Sequence, residues 1–448
     1  MFGHASIKSS GVREVLRELY SGKLLRAGLR QIRCILVLAA LGISAAATPA
    51  FTQLARAAEP IKIGFSMALT GVIAGNGNSA AVAMEMWRDD VNAKGGLLGR
   101  PVKLIYYDDQ SNPALVPGIY SKLLNVDKVD LVVGAAGTGV ISAAMPIIMQ
   151  HKKAFITFFG TAVNDHFNYD KYFQVMPNGP NASLGPSEGF FQAVETMNPK
   201  PKTVALVSLD NESAHNMILG ARENAKKAGL TIVFERSYPA SQMEFGSIVR
   251  SIQAANPDVV FLASYPPDTV SFIRSVYEVG LKTQVFGGSM VGPQLAAIKA
   301  QLGPLLNDVL CYEFYVPEPT TNFPGVKEFL ERYQQQAKKK GVEPLGFYMP
   351  PFTYAGMQIL GQAVEATKSL DDNAISQYIH KTTFKTVVGD VSFAPNGEWA
   401  QSRVLYVQYR NLDSSGVEQF KLPGKQIIVA PKELASGKLH YPFSTTGK

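Results

Sequence analysis

The stretch LVVGAAGTGVISAAMPI, residues 131–147, runs from an apolar strand through a glycine–threonine turn into a helix of small residues. Such a turn presents free backbone N–H groups and a hydroxyl to something negative. A phosphate cradle would add a lysine or a longer glycine run, and neither is present. A carboxylate is therefore the economical anion, held by uncharged donors through charge-assisted hydrogen bonds. The device recurs in FITFFGTAVND, residues 155–165, where Gly160-Thr161 again closes an apolar strand. Two adjacent strands of one parallel sheet would aim Thr138 and Thr161 at a single point, where open α/β sheets bind ligands. The competing reading makes both threonines helix N-caps and nothing more.

Working outward, strands and helices alternate with little interruption. IKIGFSMAL (61–69), PVKLIYYDD (101–109), VDLVVGA (129–135) and KAFITFF (153–159) read as strands separated by helical stretches. The alternation restarts with TVALVSL (203–209), LTIVFERSY (230–238), DVVFLASY (258–265) and QVFGG (284–288). Strands that are continuous apolar runs belong to sheets covered on both faces. Repeated βα units make doubly wound parallel sheets with right-handed crossovers. The fold expected is thus α/β, two lobes of one architecture joined by a multi-strand hinge. Its crossings are expected near 172–178, near 309–316 and near the end of the chain. The lobes would comprise residues 59–177 with about 316–388, and 178–309 with about 389–440. VGDVSFAPNGEWA (388–400) and SRVLYVQYRN (402–411) read as further strands.

At 448 residues the chain is long enough for two lobes. Its net charge of +7 is concentrated before Glu59, where eight basic residues face two acidic ones. The remainder is near neutral and carries no basic run with interleaved aromatics, which argues against nucleic acid as a partner. The basic segment precedes CILVLAALGISAAA (34–47) and small-residue exits near 48–50 and 55–58. That pattern predicts a cleaved signal peptide over residues 1–58 and a periplasmic destination. Cys34 lacks a lipobox, so no lipid anchor is expected. Removal of the leader leaves Cys311 alone, so the mature protein has no internal disulfide and the thiol reads as a buried apolar residue.

Other motifs carry less. GNGNSA (75–80) matches G-x-G-x-x-A, but TGVIA separates it from its strand, and Asp108-Asp109 fall too late for a dinucleotide site. GGSMVG (287–292) misses the nucleophile elbow by one residue. His151, His166, His215, His380 and His440 form neither a catalytic triad nor a metal-ligand spacing. No enzyme activity, cofactor or metal is expected.

Taken as a set, IKIGFSMALTG, VNAKGGLLGRPVKL, the Asp108-Asp109 pair, VVGAAGTG, FFGTA, DVVFLASY and VGLKTQVFGG resemble the leucine/isoleucine/valine-binding proteins of ABC transporters, the type I periplasmic binding proteins. The resemblance covers roughly residues 60 to 410. It implies two lobes that close on one small solute and a loaded form that docks on an inner-membrane permease. It also implies that a ligand carboxylate is held at Thr138, Phe159, Gly160 and Thr161, with an aromatic cover at Tyr265. Three positions depart from the amino-acid binders of that family. The acid that would pair with a ligand ammonium falls at Ser289, the aromatic lid of the first loop falls near Asn76, and the aromatic of the DNESAH loop is replaced around Ser213-Ala214. Glu212 or Asp268 are alternative sources of the missing charge.

Since a desolvated ammonium without an anionic partner is costly, the departures favour an amine-free or aromatic carboxylate over leucine, with Asn76 or Ser289 tuning selectivity. The expected protein is a monomeric, exported solute receptor of an ABC importer. A sensor that feeds a signalling protein is the alternative, followed by an α/β enzyme.

Overall fold

Ile61–Met67 (β1) is apolar at almost every position, and all but one of its residues are buried because helices cover both faces. The computed structural model describes residues 59–445, so the expected leader at 1–58 lies outside the described residues. After β1 come α1 (Ala74–Ala93), β2 (Val102–Asp108), α2 (Val116–Asn125), β3 (Leu131–Ala136), α3 (Thr138–Gln150), β4 (Phe155–Phe158), the short α4 (Asn164–Phe167) and β5 (Tyr172–Gln174). These strands form an all-parallel sheet in the order β2-β1-β3-β4-β5.

The second series comprises α5 (Gly185–Glu195), β6 (Thr203–Leu209), α6 (Glu212–Lys227), β7 (Thr231–Tyr238), α7 (Gly246–Ala255), β8 (Val259–Ala263), α8 (Pro266–Val279), β9 (Val285–Gly288), α9 (Ala296–Leu302) and β10 (Leu310–Glu313). Its parallel core has the order β7-β6-β8-β9-β10, which repeats that of the first sheet strand for strand. The expectation of two copies of one architecture therefore holds at the level of strand order. Each sheet reverses direction beside its first strand, at β1/β3 and at β6/β8. Those are the switch points where a crevice opens beyond the carboxyl ends.

After β10 the chain adds α10 (Val326–Lys340), α11 (Met349–Thr367) and α12 (Asp372–Lys381). Both α10 and α11 pack on α1 of the first lobe. A separate hairpin of β11 (Phe384–Thr386) and β12 (Gly389–Val391) follows. Then β13 (Leu405–Tyr409) and β14 (Gln426–Ala430) extend the second sheet in antiparallel fashion. The second sheet is thus mixed, not purely parallel. Of VGDVSFAPNGEWA only Gly389–Val391 is a strand, with one isolated bridge from Phe393 to Trp399. Of the crossings expected near 172–178 and 309–316, each begins as a strand, β5 and β10, before the chain leaves its sheet.

Three connections, over 175–184, 314–325 and 392–404, link the two sheets. Arg403 ties them together. Its backbone N–H donates to Pro177 O at 2.9 Å, while its guanidinium lies 4.7 Å from the Phe323 ring centroid and 4.6 Å from that of Trp399. Burial holds that guanidinium at a pKa lowered to about 10, still charged at neutral pH. Cys311 is fully buried on β10, with its thiol directed at Met290 O. Among the described residues no helix is long and apolar enough to cross a membrane.

Candidate functional site

Five helices begin where the two switch points face each other: α1, α3, α6, α8 and α11. Residues at or beside each start, Asn76, Gly137, Ser213, Tyr265 and Met349, line one cavity of about 40 Å³ between the sheets. Their clustering follows from topology, because the carboxyl ends of parallel strands and the N-termini of the helices that follow lie on the same edge. A helix N-terminus carries roughly half a positive charge and unbonded N–H groups. On α3 the cap residue is Gly137, at φ 105°, with no side-chain cap. The conformation suits glycine alone and keeps the first amides free of a competing hydroxyl. Among the described residues no charged side chain lines the cavity.

The structure brings Asn76, Phe159, Thr161, Ser213 and Tyr265 to the lining. Thr138 is buried immediately behind it, and its Oγ1 accepts the Thr161 N–H at 3.1 Å. The two threonine turns therefore meet, as expected from adjacent parallel strands. They also satisfy each other in part: the Thr161 amide, expected to face a ligand, is taken by Thr138. Neither threonine is an N-cap. Thr138 is the first residue of α3, and Val163 occupies the cap position of α4. Gly160 is buried beside the lining, and its carbonyl accepts from Asn178 Nδ2 at 3.4 Å. Phe159 adopts φ 59°, rare for an aromatic residue. Its ring is held edge-on by Phe314, Tyr348 and Phe352.

Ser289 is the exception. It is fully buried beneath α5, donating to Pro186 O at 2.7 Å and lying 3.0 Å from the Tyr406 hydroxyl. The turn after β9 points this side chain into the second lobe, and Val291, two residues on, reaches the cavity instead. Neither alternative acid lines the cavity. Asp268 accepts from Tyr238 OH at 2.5 Å and from the Tyr265 amide, and burial raises its pKa. Glu212 accepts from Ser142 Oγ at 2.7 Å, across the gap between the lobes. A second bridge, Asn216 Nδ2 to Thr161 O at 2.9 Å, closes the same gap.

The residues that sequence reasoning missed are mostly apolar or phenolic: Met176, Met217, Val291, Tyr312, Tyr348 and Met349. Tyr312 is the penultimate residue of β10 and Tyr348 precedes α11, both more than 170 residues from the turn at Thr138. The double proline of MPPFTYAG was a legible signal, because proline in the first turn marks a helix start. Burial pushes the phenols of Tyr265, Tyr312 and Tyr348 up, so all three stay neutral donors.

Comparison with known proteins places this geometry. The family model for periplasmic binding proteins matches residues 60–414. The chain belongs to the periplasmic binding protein family. A periplasmic binding protein homologue from Brucella abortus (strain 2308), "Leu/Ile/Val-binding protein homolog 7", is 25% identical over 408 residues, covering 87% of this chain and 96% of the relative. The fold matches the branched-chain amino acid transporter substrate binding protein of Streptococcus pneumoniae in complex with isoleucine, with a TM-score of 0.66, 18% identity, and coverage of 80% of this chain and 98% of that one. It also matches an ABC transporter solute binding protein from R. palustris in complex with benzoate, with a TM-score of 0.67, 17% identity, and coverage of 83% and 95%. At these identities the two structures share the periplasmic binding protein fold with this chain.

Proposed function

We propose that the protein is an exported receptor that closes on a small amine-free carboxylate, aromatic acids included, and presents it to the membrane permease of an ABC importer. The observation that carries this reading is the cavity lining: helix N-termini, hydroxyls, phenols and thioethers, with no acidic side chain. An anion is stabilised at such a convergence of helix starts. An ammonium group would lose its hydration and find no carboxylate, because Asp268 and Glu212 are engaged elsewhere. Phe159, three tyrosines and three methionines suit a flat apolar body, since thioethers and ring edges both pack well against aromatic faces. A cavity of about 40 Å³ is too small for such a ligand in the closed arrangement. Entry therefore requires the lobes to part, and rearrangement of the flexible Met176, Met217 and Met349 side chains makes room on closure.

The test is a thermal-shift and calorimetric series on the mature protein, unfolded and refolded to strip any ligand carried through purification. Benzoate, 4-methylpentanoate and leucine are compared. A ligand at about 100 times its dissociation constant stabilises by roughly 2.7 kcal/mol, enough for a visible shift in Tm. Benzoate or 4-methylpentanoate is expected to shift Tm and leucine is not. A shift with leucine alone would replace this reading with ordinary amino-acid binding.

A further inference from the structure

Resting on the reading of the site as one for an amine-free carboxylate, we propose that the ligand also carries an uncharged hydrogen-bond donor. The ligand class is then a hydroxylated aromatic carboxylate, and Asn76 is the residue that selects it. Asn76 sits in the first turn of α1, on the cavity wall and only 3% exposed. Its side-chain Oδ1 is buried and has no hydrogen-bond partner among the described residues. The neighbouring groups are committed: its own N–H donates to Ile73 O, and Ser79 Oγ donates to its carbonyl at 2.7 Å.

Buried polar atoms in folded proteins are nearly always satisfied, and an amide oxygen can only accept. A carboxylate brings acceptors alone and leaves this oxygen as it is. An ammonium could donate to it, but the lining holds no counter-charge. A phenolic hydroxyl donates without bringing a charge, and it fits the aromatic and thioether walls. The same lining holds a second buried polar group. The Tyr312 hydroxyl is fully buried beside the Tyr348 phenol, without a hydrogen bond of good geometry. It can donate to a carboxylate or accept from a hydroxyl, so the cavity offers complementary groups to a ligand bearing both.

The experiment is isothermal titration of the mature, refolded protein with benzoate, 3-hydroxybenzoate, 4-hydroxybenzoate and leucine, repeated with Asn76→Ala. At least one hydroxybenzoate is expected to bind the parent about tenfold tighter than benzoate, which is 1.4 kcal/mol. In Asn76→Ala the preference should fall to within about twofold, as expected for loss of the one acceptor that rewards the hydroxyl. The parent ratio decides the matter even if the variant does not fold. If benzoate binds the parent as tightly as both hydroxybenzoates, the donor inference falls while the carboxylate reading stands. A preference that survives Asn76→Ala overturns the assignment to Asn76. If leucine binds and none of the benzoates does, the carboxylate reading fails and takes this proposal with it. Absence of binding by all four ligands also overturns the proposal.

Discussion

Glu398 is fully buried in the last connection between the sheets, and neither carboxylate oxygen has a hydrogen-bond partner among the described residues. Burial, reinforced by the nearby Asp165 carboxylate, pushes its pKa well above the ordinary range, so the side chain stays protonated at neutral pH. In the unfolded chain the same group ionises near pH 4.3. The unfolded state therefore binds fewer protons over the interval between the two pKa values, and stability declines as pH rises through it. Glu398→Gln keeps the shape and cannot ionise. Its melting temperature should match the parent near pH 4 and exceed it by about 2 °C or more at pH 7–8, as read by differential scanning calorimetry at both pH values. Equal melting temperatures across the range would show that Glu398 is solvated or paired. Residue-scale environments of this kind were not legible in the sequence, where Glu398 is one acid in a strand-like run. Ser289 teaches the same lesson: its position after an apolar strand was readable, whereas the direction of its side chain was set by α5 packing above it.

At the scale of an element, α1 differs most instructively from its sequence pattern. GNGNSA looks like a loop, yet the helix begins at Ala74 and includes both glycines. Gly77 explains why. A Cβ placed there would lie 1.9 Å from the Ala68 carbonyl oxygen, so the helix can seat against the end of β1 only because the residue is glycine. In an exposed helix Gly→Ala gains up to about 1 kcal/mol of propensity. Here the sign reverses, because the neighbour is backbone and cannot rotate away. Gly77→Ala should destabilise by about 1–3 kcal/mol, measured by urea denaturation, with the start of α1 displaced from the cavity. A stabilised variant would mean that α1 moves freely at this end. The strand–turn–helix unit at 131–150 and the strand and turn at 155–161 were legible because apolar runs and glycine–threonine turns are local signals. The sequence reading assigns no helix to α5 or α12: glycine and proline open the first, and polar residues dilute the apolar pattern of the second.

For the whole molecule, the contacts that bring the lobes together decide how tightly a ligand is held. Glu212 on α6 reaches Ser142 on α3, and Asn216 on α6 reaches the Thr161 carbonyl. A receptor with these bridges divides its binding energy between touching the ligand and closing. The Glu212 bridge is exposed to solvent and therefore modest, about 0.5–1 kcal/mol. Glu212→Ala should weaken the affinity for the carboxylate identified by calorimetry by roughly two- to fivefold, through the closed-state population alone. Small-angle scattering of the loaded variant should show a larger radius of gyration at subsaturating ligand. Unchanged affinity would place closure entirely on the ligand and on Asn216.

By itself the sequence determined the alternation of strands and helices, the repeat of one α/β architecture and the pair of threonine turns at strand ends. These are local or periodic properties, set by side-chain polarity and by the backbone preferences of glycine and proline. Only the tertiary structure decided that Thr138 and Thr161 bond to each other, that Ser289 faces inward, and that Tyr312, Tyr348 and Met349 complete the cavity. The threonine pair spans only 23 positions, but the partners of Ser289 lie more than 100 positions from it. These meetings depend on how two sheets and three connections pack, and no local preference along the chain encodes that.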